Sequence, residues 1–229
     1  MSVILRAGEP AQIVLTSDQQ VEITNYVNQY RKVNQADNLV WNNAIATFSQ
    51  NWANYLVMND LFQHSGNSLY GENLAYFQGY GTDVMTLLKL SVDLWYKEIE
   101  YYDFKNPGFS PETGHFTCLV WKSSKTFGMG ISIVNDKVVV TFNTSPPGNV
   151  IGQFEQNVLQ TDTSVPLPNS PTIQPPTPVQ PPMPVQPSKK NYLKIITVLY
   201  KIIDEVKKQN LNRQMIINHL KNIIMELIH

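Results

Sequence analysis

The chain has 229 residues, 42% of them hydrophobic and 10% aromatic, which is enough for a packed core and excludes a wholly disordered polymer. The formal charge of −1 conceals an asymmetry: residues 189–229 hold eight Lys/Arg against three Asp/Glu, while residues 1–188 hold nine against fifteen. A single cysteine, Cys118, excludes an intrachain disulfide and points to a reducing compartment.

The opening MSVILRAGEP lacks a basic stretch followed by an apolar core, so no signal peptide is expected, and Ser2 in place of Gly excludes simple N-myristoylation. No apolar run approaches the roughly 18 residues of a membrane span. The expectation is a soluble, cytoplasmic protein with the membrane surface as a candidate for peripheral contact.

In chain order, Ser17 with Gln20 reads as a capping box opening a helix that carries Val21, Tyr26, Tyr30 and Val33. Trp41, Ala44, Ile45, Phe48, Trp52, Tyr55 and Leu56 keep helical spacing over four turns, and a third helix is expected near 83–101. From 116 the period changes. FTCLVW, FGMGISIV and VVVTFN read as short strands, the last two joined at Asn135-Asp136 in a tight hairpin. Helices early and strands late predict an α+β layer architecture with an antiparallel sheet.

Residues 165–188 hold ten of the fifteen prolines and no charged residue, with QPPTPV and QPPMPV in tandem at 174–185. Such a segment favours polyproline II at roughly 3.1 Å per residue and reads as a spacer rather than a docking motif, since no Lys or Arg stands beside the prolines. Beyond it, Ile195, Leu199, Ile202 and Val206, then Ile216, Leu220, Ile223 and Leu227, predict two amphipathic helices. Their stripes need a partner: self-association or a membrane. Lys194, Lys201 and Lys208 lie seven apart, a basic ridge suited to an anionic bilayer. Lysines without interleaved aromatics give no case for nucleic acid.

Four residues could carry chemistry. His64 lies in QHSGNS after the second helix, Glu72 in GEN, Glu98 three residues after Trp95, and His115 in GHFT beside Gly114. Two imidazoles and two carboxylates can hold a divalent metal or serve acid/base catalysis. Taken singly, each reads as a structural hydrogen-bonding group. Strand alternation would put Cys118 on the face opposite His115, as a buried core residue rather than a nucleophile.

GHFTCLVWKSS at 114–124 and VVTFNTSPPGNV at 139–150 resemble the two signatures of the CAP superfamily (cysteine-rich secretory proteins, antigen 5, pathogenesis-related 1). HS at 64–65, GEN at 71–73 and WYKE at 95–98 fall in that family's order, and residues 95–117 are most similar to the Golgi-associated, intracellular branch. The resemblance covers about 14–160. It implies a three-layer α/β/α sandwich (the CAP/SCP fold) whose cleft is built from His64, Glu72, Glu98 and His115, with the two histidines as ligands of a divalent metal such as zinc. Cys118 departs from the usual Gln or Ala, and Phe142 and Thr144 stand where secreted members carry Cys and Tyr, which sets secreted-member activities apart.

The expected organisation is therefore an N-terminal tail at 1–13, a CAP domain at 14–160, a Pro-rich linker at 161–190 and a helical hairpin at 191–229. The leading functional expectation is a non-enzymatic module for lipid or membrane surfaces, or for protein partners, with a metal-capable cleft. A homo-oligomer through the CAP domain or the C-terminal helices is expected. The alternative is a metal-dependent hydrolase with Glu72 or Glu98 as base.

Overall fold

The computed structural model describes residues 13–171. The expected C-terminal hairpin, with Lys194, Lys201 and Lys208, lies outside the described residues, as does most of the N-terminal tail.

The first helix, α1 (Ser17–Val33), opens one residue earlier than the sequence suggests. Thr16 is the cap: its Oγ1 accepts from the Gln19 N–H at 3.3 Å, and the Gln19 side chain accepts from the Thr16 N–H at 2.9 Å. Gln20 instead donates to the Leu15 carbonyl. Tyr26, Tyr30 and Val33 are buried as expected, whereas Val21 is exposed. Trp41 is not helical. It ends β1 (Val40–Trp41), and Asn42 caps α2 (Asn43–Met58) by accepting from the Ala44 and Ile45 N–H groups.

The strand β2 (Gly71–Gln78) was not expected. The third helix, α3 (Val84–Lys97), runs on through a 3₁₀ turn at Glu98–Tyr101, within the expected range. Residues 114–120 correct the sequence expectation outright: they form α4 (Gly114–Val120), not a strand. Phe116 to Val120 are all buried, Thr117 included, so the run has no solvent-facing side and carries no period that separates helix from strand. The strands β3 (Thr126–Val134) and β4 (Lys137–Ser145) form the expected hairpin, with Asn135 at φ 57° supplying the left-handed turn residue. A short helix, α5 (Phe154–Asn157), follows.

The sheet order is β1-β3-β4-β2. It is mixed rather than antiparallel, because the two-residue β1 runs parallel to β3. Helices cover both faces. On one, Phe127, Met129, Ile131, Val138, Val140 and Phe142 join the core formed with α1, α3 and α4. On the other, Ala53, Leu56 and Val57 of α2 pack on Leu74 and Val139. The α2 backbone comes so close to β3 that a Cβ at Gly128 or Gly130 would collide with the Ala46 or Gln50 backbone.

Arg31 is fully buried and ties α1 to the end of α4. It donates to the carbonyls of Leu119, Trp121, Ser124 and Asp37, an arrangement that suits a cation at a helix C-terminus. The linker does not simply leave the body at 161. Residues 159–162 are held to the end of α1: Asn34 donates to the Leu159 carbonyl, Gln35 to that of Gln160, and the Asp162 N–H to that of Val33.

Candidate functional site

Each of the four expected residues is positioned by a different element, and they assemble as two His–Glu pairs. The first joins the loop after α2 to the start of β2. His64 Nδ1 lies 2.8 Å from Glu72 Oε1, which also accepts from the Ser65 N–H at 2.8 Å. Across the sheet, Glu72 is in register with Asn143, whose Nδ2 donates to Glu72 Oε2 at 3.4 Å. Asn143 is in turn fixed by α2, accepting from the Ser49 hydroxyl at 2.8 Å. Burial alone would raise the Glu72 carboxyl, but the hydrogen bonds from His64, Ser65 and Asn143 outweigh it and hold the group below the ordinary carboxylate range.

The second pair joins the end of α3 to the start of α4. Glu98 Oε1 lies 2.6 Å from His115 Nδ1, while Oε2 accepts the backbone N–H groups of His115 at 2.9 Å and Phe116 at 3.1 Å. The first N–H groups of a helix have no partner within it, and a carboxylate there satisfies both the bonds and the dipole. The His115 ring stacks over Trp95, centroids 6.4 Å apart, and Trp95 Nε1 donates to the Leu74 carbonyl of β2.

The two pairs flank the start of β2. Successive strand residues point to opposite faces, so Glu72 reaches towards Asn143 and α2 while Asn73 reaches towards α4, donating to the His115 carbonyl at 2.8 Å. In both pairs the carboxylate accepts from Nδ1–H, which leaves the lone pair of a neutral imidazole on Nε2. Glu72 and Glu98 thus orient rings, as carboxylates do behind metal-ligating histidines. Among the described residues no three His, Cys, Asp or Glu side chains converge on one point that could hold an ion. The structure brings the four together two by two, not as one cluster.

Cys118 is 1% exposed, as expected of a core residue, but for a different reason. On a helix it sits one turn from His115, not across a strand. Burial pushes its thiol up to about 12, so it is no nucleophile. Sequence reasoning missed Asn73, Asn143 and Ser65. All three lie inside the quoted motifs, and the signal of the two amides was their place beside Glu72, Asn73 in the chain and Asn143 across the register.

Beside the first pair, α2 shows an uncharged aromatic surface. Residues 38–59 contain no Asp, Glu, Lys, Arg or His. Trp52 stacks on Tyr55 with centroids 5.0 Å apart, and Phe48 meets Tyr70 edge-on. Tyr55 is 47%, Met58 48% and Leu69 68% exposed. Trp52 Nε1 donates to the Gln63 carbonyl, one residue before His64. Further along α2, Ile13, Leu15, Trp41, Ala46 and Met129 line an open groove of about 460 Å³. No described helix is long and apolar enough to cross a membrane.

Comparison with known proteins agrees with the motifs. The family model for CAP, the cysteine-rich secretory protein family, matches residues 24–144. Protein PRY2 of Saccharomyces cerevisiae is 42% identical over 125 residues, 53% of this chain but only 35% of that protein, so the similarity spans about a third of the yeast relative. The Golgi-associated plant pathogenesis-related protein 1 of Homo sapiens is 34% identical over 146 residues, covering 60% of this chain and 90% of that one. Among solved structures, NaASP2 with Zn2+ superposes with a TM-score of 0.54 at 16% identity, covering 65% of this chain and 88% of that chain, a likeness of fold.

Proposed function

The chain belongs to the CAP family, the cysteine-rich secretory protein family, and from that premise we propose that its body is a non-enzymatic module that binds lipid or membrane surfaces through the outer face of α2. The observation that carries this is the uncharged surface of Phe48, Trp52, Tyr55, Met58, Leu69 and Tyr70 on an otherwise acidic body. Trp and Tyr partition to the headgroup level, where the ring is half wet, and an uncharged face avoids repulsion from anionic lipid. The Lys194, Lys201 and Lys208 ridge would add attraction on anionic membranes, about 1 kcal/mol per lysine. Peripheral membrane association and self-association through the body or the C-terminal helices are part of the same proposal.

Zinc enters the proposal as an accessory rather than as a catalyst. His64 and His115 would hold it through Nε2, with Glu72 and Glu98 behind them fixing the tautomer, and water would complete the shell. A hydrolase reading is less well supported. A general base needs a basic lone pair aimed at water, whereas three of the roughly four lone pairs of each carboxylate are already engaged, Glu98 by the His115 ring and two N–H groups and Glu72 by His64, Ser65 and Asn143, which lowers the basicity of what is left.

The test is co-sedimentation of the full chain with phosphatidylcholine vesicles and with vesicles containing phosphatidylserine. The expected result is binding to both, stronger to the second at low salt. Absence of binding to either at low salt would overturn the proposal.

A further inference from the structure

The chain after α5 forms a strap whose far end meets a polar latch that the His–Glu pairs do not use. From Asp162, bonded to Val33 at the end of α1, the strap runs back towards the middle of that helix. Val165 packs on the core, and residues 165–169 share a groove of about 290 Å³ with Gln29 and Lys32. The Ser170 hydroxyl then lies beside those of Tyr26 and Tyr30. Both tyrosines donate to one oxygen of Asp93 on α3, at 2.5 and 2.7 Å, which ties α1 to α3. The other oxygen, Asp93 Oδ2, is buried and accepts no hydrogen bond among the described residues.

Ser170 is exposed and is followed by Pro171 in irregular chain. We propose that Ser170 is a phosphoacceptor for a proline-directed protein kinase, and that the phosphoryl group lifts the strap from α1. In the transfer, Ser170 Oγ bonds to the γ-phosphorus of a nucleoside triphosphate, the bond to the β-phosphate oxygen breaks, the diphosphate leaves, and the hydroxyl proton passes to the kinase's base. The product carries about −1.5 to −2 charges at pH 7 and three acceptor oxygens. Those oxygens compete with Asp93 for the two tyrosine protons, and the new charge stands beside a carboxylate that already lacks a donor on one oxygen. Lys89 offers little relief: it lies 5.5 Å from the centre of the Tyr26 ring, and its Nζ is paired with Glu22 at 2.5 Å. Lys32 lines the groove beside residues 165–169, short of the latch.

The experiment treats the folded full chain with a proline-directed kinase and ATP, maps the modified residue by mass spectrometry, and follows hydrogen exchange at the Asp162 and Val165 amides. Modification at Ser170 is expected, absent in Ser170→Ala, with exchange at both amides about tenfold faster or more once the charge is added. Asp93→Asn, which keeps the shape and removes the opposing charge, is expected to reduce that acceleration to about threefold or less. A folded chain left unmodified at Ser170 would overturn the proposal. So would modification that leaves exchange unchanged or slows it, the latter meaning that Lys32 or Lys89 captures the phosphate and tightens the strap.

Discussion

The two His–Glu pairs use the same chemistry and are built in opposite ways. At Glu98–His115 the histidine belongs to a helix that is itself part of the core, and the carboxylate serves that helix as much as the ring. At Glu72–His64 the carboxylate is the fixed member, with a side chain 7% exposed, whereas the His64 side chain is 63% exposed on a loop. One pair is part of the fold; the other is an exposed ring hung on a buried anchor. A site can thus place two equivalent imidazoles at an edge strand and leave them with different tolerance to change.

The sharpest way to break the comparison is to remove each carboxylate. Glu98→Ala strips acceptors from the His115 ring and from two N–H groups at the start of α4, and should cost about 3 kcal/mol, a fall in Tm of roughly 6–12 °C by calorimetry. Glu72→Gln keeps an acceptor for Ser65 and should cost about 1–2 kcal/mol. An equal loss for the two would erase the distinction drawn here.

Acid sharpens it further. Glu72 titrates lower when folded than its ordinary 4.5, so its contribution is complete above that value and is lost as pH falls through the lower folded value. Urea midpoints between pH 6 and 3 should therefore fall more steeply in the wild type than in Glu72→Gln.

Smallest are the rings. His64→Ala should change stability by less than about 0.5 kcal/mol, as exposed positions do, and His115→Ala by about 1 kcal/mol through lost stacking on Trp95. Zinc titration by calorimetry should nevertheless show either substitution weakening binding, if both rings serve as ligands. Binding unaffected by both would remove the ion from the proposal.

The motif residues and their order were legible in the sequence, and so was the Asn135-Asp136 hairpin, because each rests on local chemistry. The nature of 114–120 was not: a helix buried on all sides has no polar face to reveal its period. The strand β2 was hidden because its partner, β4, lies some seventy residues on, and only the register that places Glu72 opposite Asn143 shows why GEN matters. The helical spacing of the α2 aromatics marks one stripe but not which part of it the sheet covers. The stripe is wider than the sheet can cover, and the surplus is the exposed face.

That face carries the central claim, and paired substitution tests it directly. Tyr55→Ser with Met58→Ser removes side chains that are 47% and 48% exposed and leaves the buried contacts of Ile45, Ala53 and Leu56 in place. Sedimentation with phosphatidylcholine vesicles should fall at least about tenfold relative to the wild-type chain, as expected for removing two half-exposed apolar side chains. Vesicle binding that survives the double substitution unchanged would contradict the assignment of this face.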